Sequence, residues 1–137
     1  MRIVIVDSEE TSREVIKQAI NTVVETHKIK SGCKIVGEAA DGRKGCEIIV
    51  KERPDLIIMD LELLGKNGLP LLKKIRSEQI HSRVLVITKD NDFDRTRQAI
   101  SFGVDEYLLK PVKKVQIAKA LQMIEDKLAG ELVIETA

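Results

Sequence analysis

Aromatic side chains are nearly missing from these 137 residues, which hold no Trp, one Tyr and two Phe. A protein that sandwiches a flavin or stacks nucleic-acid bases usually offers more rings than Phe93, Phe102 and Tyr107 supply. Charge of one sign is missing too, because 23 Lys+Arg face 22 Asp+Glu for a net charge of +1. That balance argues against direct nucleic-acid binding, which usually needs a basic excess on one face. No apolar run approaches the roughly 18–20 residues that would span a bilayer, so no membrane partner is expected. The opening Arg2-Ile3-Val4-Ile5-Val6-Asp7 is too short for a signal-peptide core and ends in an acid. Two cysteines, Cys33 and Cys46, are too few for a disulfide framework and too isolated for a zinc site. They read as reduced thiols of a cytoplasmic protein.

What is present is material for one core: 43% hydrophobic residues with 33% charged, in a chain near the usual size of a single domain. Short runs rich in Val, Ile and Leu recur at Ile3 to Val6, Lys34 to Gly37, Leu56 to Met59, Val84 to Ile87 and Tyr107 to Leu109. Three are almost continuously apolar, as in parallel strands buried on both faces. Between and after them lie five stripes with helical spacing. These are Val15, Ile16, Ala19, Ile20 and Val23; Cys46, Ile49 and Val50; Leu71, Leu72 and Ile75; Thr96, Ala99 and Ile100, with Asp92 or a neighbour as N-cap; and Val115, Ala118, Leu121, Ile124 and Leu128. Breakers at Asp41-Gly42, Pro54, Gly65 to Gly68, Gly103 and Pro111 separate them. Five consecutive βα units with right-handed crossovers place helices on both faces of a parallel sheet. Residues 26–32 read as a surface loop, and residues 130–137 as a C-terminal tail or truncated linker.

Four polar residues fall at or just after strand C-termini: Asp7, Asp60, Thr88 and Lys110. Each alone has a plain explanation, as a helix cap, a turn residue, a strand-end hydroxyl or a solvated lysine. Together they aim two acids, a hydroxyl and a cation at the edge where open parallel sheets bind ligands. Clustered carboxylates favour a hard divalent cation such as Mg²⁺. A carboxylate can attack a phosphoryl group and carry it as an acyl phosphate, while a lysine and a hydroxyl hold its oxygens.

The segments Pro54-Asp55-Leu56-Ile57-Ile58-Met59-Asp60-Leu61, Gly65-Lys66-Asn67-Gly68-Leu69 and Gly103-Val104-Asp105-Glu106-Tyr107-Leu108-Leu109-Lys110-Pro111, in this order and spacing, resemble the receiver domain of bacterial two-component response regulators. The resemblance covers residues 2 to 129 or so. It implies a flavodoxin-like, doubly wound fold with strand order 2-1-3-4-5. It implies that Asp60 accepts a phosphoryl group from a sensor histidine kinase docked near the first helix and the loop after the fifth strand. Mg²⁺ would be held by Asp7, Asp60 and the backbone carbonyl of Glu62, and Lys110 and Thr88 would contact the phosphoryl oxygens. Thr88 would move inward and Tyr107 would rotate behind it, changing the surface of helix 4, strand 5 and helix 5. On this reading the chain is not a turnover enzyme, because it accepts the group on its own Asp60 and loses it by self-dephosphorylation. An output domain, DNA-binding or enzymatic, commonly follows such a receiver, and transcription control through one is part of the expectation.

The chain departs from the family at several points. Its receivers carry paired acids after strand 1, where this chain has Asp7-Ser8 followed by Glu9 and Glu10. Ser8 brings no charge, which weakens the expected Mg²⁺ affinity; Glu9 reads first as helix-start electrostatics and second as a ligand. Lys89 stands where a small residue is common, either over the site or as a solvated lysine. Leu63-Leu64 replaces a Met-Pro pair. Glu62 and Asp90, both acidic, occupy positions that modulate hydrolysis. These differences leave open a degenerate receiver that acts as an interaction module without phosphate. An aspartyl-phosphate phosphatase fits poorly, because two βα units precede Asp60 and no cap domain has room. A flavodoxin-type cofactor protein fits poorly as well, because the loop after strand 1 is acidic and lacks a small-residue cradle. Arg95, Arg97, Asp105 and Lys114 offer charges for a homodimer through helix 4, strand 5 and helix 5, against the simpler reading of solvated surface charge.

Overall fold

A computed structural model describes residues 1–30, 32–64 and 66–136, with side chains through residue 131. Gly65, one of the expected turn residues, lies outside the described residues. The chain runs β1 (Arg2–Val6), α1 (Glu10–Glu25), β2 (Lys34–Ala39), α2 (Gly42–Glu52), β3 (Leu56–Met59), β4 (Glu62–Leu63), β5 (Lys66–Asn67), α3 (Leu69–Ser77), β6 (Arg83–Thr88), α4 (Phe93–Ser101), β7 (Glu106–Leu109) and α5 (Lys114–Thr136). Five strands form one parallel sheet in the order β2-β1-β3-β6-β7. Setting aside the β4–β5 hairpin, this is the expected 2-1-3-4-5 order of the flavodoxin-like fold.

Side-chain alternation along the central strands builds the two layers. Val4, Val6, Ile57, Met59, Val84 and Val86 point into one buried cluster, shared with α2, α3 and α4. Ile3, Ile5, Leu56, Ile58, Leu85 and Ile87 point into the other, shared with α1 and α5. Each strand is thus apolar on both faces, which is why these runs carry no polar alternation. Burying each such side chain is worth about 1.5–3 kcal/mol, so the three middle strands form the rigid platform for whatever sits at their C-terminal ends.

Three helical stripes differ from expectation. In α2, Gly45 and Ile49 are buried and Val50 is exposed. In α4 only Ala99 is buried, with Ile100 58% exposed. In α5 the buried face is Ile117, Ala120, Leu121 and Ile124, and Val115 is exposed. In α2 and α5 the rest of the expected stripe stays in or against the core, with Cys46 and Ile49 in one and Ala118, Leu121, Ile124 and Leu128 in the other, so only a flanking residue of each turns to solvent. Helix α5 continues through residues 130–136, so the segment read as a tail is helical. The loop after α1 is pinned by the buried Ile29.

The β4–β5 hairpin was not anticipated. Leu64 sits at its turn with φ +53°, a conformation closed to proline, whose ring holds φ near −65°. The missing Met-Pro pair therefore goes with a different turn, not simply a looser one.

Candidate functional site

The backbone brings the four strand-end residues together. Asp7 N–H donates to the Ala39 carbonyl (3.0 Å), Asp60 N–H to Val6 (3.0 Å) and Lys110 N–H to Thr88 (2.8 Å), so parallel pairing persists one residue beyond the strands. Asp7, Asp60 and Thr88 are 1%, 3% and 0% exposed. Thr88 Oγ1 donates to Asp60 Oδ1, which also accepts the N–H of Glu62 at 2.9 Å. Lys110 Nζ lies 2.8 Å from Asp60 Oδ2, 2.8 Å from Glu9 Oε1 and 3.1 Å from Asp7 Oδ2. Both oxygens of Asp60 are therefore gripped, one by a hydroxyl and a backbone amide and the other by an ammonium.

A buried amine would ordinarily be pushed toward neutrality. Burial does act that way on Lys110, but its hydrogen bonds to Asp60, Glu9 and Asp7 outweigh it and hold the amine above its usual value. In turn the Lys110 hydrogen bond holds Glu9 below the usual carboxylate range. Two buried acids a few ångströms apart persist because this cation stands between them.

The structure changes the reading of Glu9. Helix-start electrostatics was favoured, yet its carboxylate turns away from the helix and into the cluster. Glu9 is the N-cap residue of α1 but makes no side-chain capping bond, and its N–H is instead taken by Asp7 Oδ1 at 2.9 Å. Lys89 is exposed but not merely solvated, since its Nζ approaches Glu9 Oε1 at 3.5 Å. Ser8, Glu9, Asp60, Glu62, Leu64 and Lys89 line a cavity of about 300 Å³ beside the Asp60 carboxylate. Glu62, at the start of β4, and Lys89, just after β6, thus line the cavity from two sides.

Asp90 and Tyr107 form a second tier. Asp90 N–H donates to Thr88 Oγ1 at 3.2 Å, the Asp90 carboxylate binds Arg95 at 3.0 Å, and the Tyr107 hydroxyl donates to the Asp90 carbonyl at 2.5 Å. Burial raises the Tyr107 phenol above its usual value. Asp90 is therefore engaged away from the cavity.

Arg13 was missed. From the first turns of α1, its guanidinium donates to the Asp7 carbonyl at 2.6 Å and binds Glu38 of β2 at 2.7 Å. It ties the loop carrying Asp7 to the neighbouring strand. The only available signal was a basic residue six positions after Asp7, too weak without a fold. Asp105 is also not the free surface charge that was expected. It binds Arg83 at 2.9 Å, Lys127 at 3.3 Å and the Val84 N–H at 2.9 Å, with its side chain 6% exposed.

These residues fit a hard divalent cation. Ligand oxygens of Asp7, Glu9 and Asp60 all lie within 4.8 Å of one another, and Asp7 Oδ2 is buried without a hydrogen-bond donor. Its nearest cationic neighbour, Lys110 at 3.1 Å, is close enough for Coulomb attraction but does not make a hydrogen bond to it. An oxygen-only, mostly anionic set is what Mg²⁺ takes, with water completing its shell.

A family model described as "Response regulator receiver domain" matches residues 3–122. The nitrate/nitrite response regulator protein NarL of Escherichia coli (strain K12) is 33% identical over 135 residues, covering 98% of this chain and 58% of NarL. The transcriptional regulatory protein LiaR of Bacillus subtilis (strain 168) is 34% identical over 107 residues, covering 73% of this chain and 51% of LiaR. The chain thus spans little more than half the length of these relatives. Among solved structures, the REC domain of AraT, a response regulator from Geobacillus stearothermophilus, superposes with a TM-score of 0.82 at 28% identity, covering 96% of this chain and 97% of that one. The signal receiver domain of the NarL response regulator from Mycobacterium tuberculosis gives 0.77 at 27% identity, covering 91% and 95%. No helix among the described residues is long and apolar enough to cross a membrane.

Proposed function

The chain belongs to the response regulator receiver domain family, and from that premise we propose that it is a phosphorylation-controlled switch whose Asp60 accepts a phosphoryl group from a sensor histidine kinase in the cytoplasm. The observation that carries this is the Asp60 carboxylate, fixed at the end of β3 between Thr88 and Lys110 and facing a cavity. An Asp60 oxygen forms the new O–P bond as the N–P bond of the donor phosphohistidine breaks, and the imidazole leaves. Lys110 and Thr88 then pass from the carboxylate to the phosphoryl oxygens, which develop the charge they are placed to hold. Thr88 already faces Asp60 through its hydroxyl. Mg²⁺, held by Asp7, Asp60 and the Glu62 carbonyl, would neutralise phosphoryl charge. The group is later lost to water, so the protein carries out no turnover on an external substrate.

The kinase reading is supported by a second cavity of about 390 Å³ beside the site, where Val15, Pro111 and Val112 are flanked by Thr11, Ser12 and the charged Glu9, Lys89 and Lys110. An amphipathic docking helix, apolar on one side and charged at its edge, fits such a groove. The output reading is supported by Phe93 (73% exposed), Ile100, Leu109 and Val115, which leave apolar surface on α4, β7 and the start of α5. We place effector contact or homodimerisation on that face, through these side chains and not through Asp105. Transcription control would follow through a further domain of the longer protein.

The test is intact mass after incubation with a small acyl-phosphate donor and Mg²⁺, beside an Asp60→Asn control. One phosphoryl group gained by the parent alone supports the switch. No gain by either, even with Ser8→Asp, favours a receiver that works as an interaction module without phosphate.

A further inference from the structure

Building on the switch reading above, we propose that Glu9 is the third acid of the divalent-cation site, supplying the charge that Ser8 lacks, and that Lys89 and Lys110 hold it in reserve until a cation binds. Four observations lead there. Glu9 occupies the N-cap position of α1, where a side chain would normally accept from the helix, yet makes no such bond. Its carboxylate is spent instead on Lys110 at 2.8 Å and Lys89 at 3.5 Å.

One oxygen each from Asp7, Glu9 and Asp60 already lies within 4.8 Å of the others. Oxygens bound to one Mg²⁺ at about 2.0–2.1 Å sit about 2.9 Å apart when adjacent and about 4.2 Å apart when opposite, so the set must draw together around the ion. Glu9 can make that movement: its side chain is 40% exposed, and it is one methylene longer than Asp. The fourth observation is Asp7 Oδ2, buried and aimed into the cluster with no donor. An orphaned anionic oxygen at that depth is costly unless a cation completes it.

The arrangement makes cation binding a competition. Three acids face two lysines, so the resting cluster carries one net negative charge. A divalent cation must draw Glu9 from both ammonium groups before it gains the third carboxylate. Lys89 is the weaker holder, being exposed and farther away. Once Glu9 turns to the cation, Lys89 stands free at the cavity mouth, beside Thr88, where an incoming phosphoryl anion would pass.

The experiment is a Mn²⁺ titration of the full chain at neutral pH, reading free Mn²⁺ by electron paramagnetic resonance, with Mg²⁺ competition. Glu9→Gln should raise Kd about tenfold. Lys89→Gln should lower Kd two- to fivefold in the parent but change it less than twofold in the Glu9→Gln background, because its partner is already gone. Ser8→Asp should restore affinity to Glu9→Gln by returning the acid to its usual position. Unfolding midpoints measured without metal check that each variant is folded. A Glu9→Gln protein whose Kd stays within twofold of the parent overturns the proposal, as does a parent that binds no Mn²⁺ at millimolar concentration. Phosphoryl uptake by Asp60 is read separately by mass. If mass shows no uptake while Glu9→Gln still weakens Mn²⁺, the switch reading falls and the cation site stands; the reverse pattern removes only the role given to Glu9.

Discussion

The hydroxyl of Tyr107 donates to the backbone carbonyl of Asp90 at 2.5 Å, and the N–H of the same Asp90 donates to Thr88, whose own hydroxyl donates to Asp60. A continuous chain of hydrogen bonds therefore joins the acceptor carboxylate on β3 to the aromatic side chain on β7. It runs through one residue of the β6–α4 loop. Tyr107→Phe keeps the ring packing and removes only the last link. Loss of that bond should lower stability by about 1 kcal/mol, seen as a reduced urea midpoint with an unchanged slope. Hydrogen exchange in α4 and β7 should respond less to phosphorylation than in the parent; an equal response would show that the tyrosine hydroxyl plays no part in the coupling.

Lys110 is the cation for three carboxylates, two of them buried. Lys110→Met leaves Asp7 and Asp60 facing each other without it. Removing one partner of a buried ionic cluster typically costs about 3–5 kcal/mol, a large share of the roughly 5–15 kcal/mol of a domain this size. Adding Asp60→Asn to that variant should recover part of the loss, because one of the two opposed charges disappears. Urea unfolding of the single and double variants measures this, and a double variant no more stable than Lys110→Met would contradict it.

Stability should fall in acid. Glu9 is held below its usual 4.5 chiefly by Lys110. Glu38 is pushed up by burial, but Lys17 and Arg13 overcome this and leave it lowered as well. A carboxyl lowered on folding adds stability above its unfolded value and loses it as pH drops through the folded one, because the unfolded state then binds more protons. Lys110, raised on folding, adds stability that is complete below about pH 10.4 and fades at higher pH. Melting temperatures should therefore decline from about pH 5 downward, and the decline should be shallower in Lys110→Met.

Arg76, half-buried, is held by backbone carbonyls alone among the described residues. Its guanidinium donates to Phe102 (2.7 Å), Ile80 (2.9 Å), Ser82 (2.9 Å) and Gly103 (3.3 Å), stitching the end of α3 to the end of α4 and the start of β6. Arg76→Met preserves the aliphatic stem but strands these acceptors, at an expected cost of about 2–4 kcal/mol. Hydrogen exchange should rise first at residues 102–104, and uniform protection there would argue that the arginine is dispensable.

Gly45 of α2 is placed against β1, where an added Cβ would lie 2.9 Å from both methyl carbons of Val6. Alanine gains up to about 1 kcal/mol in helix propensity but overpacks the core by about 1–3 kcal/mol. Gly45→Ala should be destabilising on balance in a denaturant titration, and a rise in midpoint would show that α2 can shift outward at little cost.

The fold and the central triad were legible in the amino-acid order because both follow from local rules. Apolar runs of strand length, separated by helical stripes and breakers, admit few topologies once crossovers are right-handed. Asp60, Thr88 and Lys110 then fall at one edge whatever the details. In α5 only Val115 fell outside the face that packs on the core, because whether the first turn of an amphipathic helix is covered depends on the partner surface. Arg13 and Asp105 were misjudged or missed because a charged residue on a helix or before an edge strand looks the same in sequence whether it is solvated or bound.

Sequence alone determined the parallel sheet and the identity of the groups at its C-terminal edge, since periodicity and residue type are carried locally along the chain, while the strand order followed from the resemblance to receiver domains. Only the folded molecule decided that Glu9 leaves its helix for the acid cluster, that Lys110 serves three carboxylates and that Leu64 turns a hairpin. Those outcomes depend on which charges and backbone segments from distant parts of the chain come within a few ångströms. At that range Coulomb attraction and desolvation override the preference each residue has by itself.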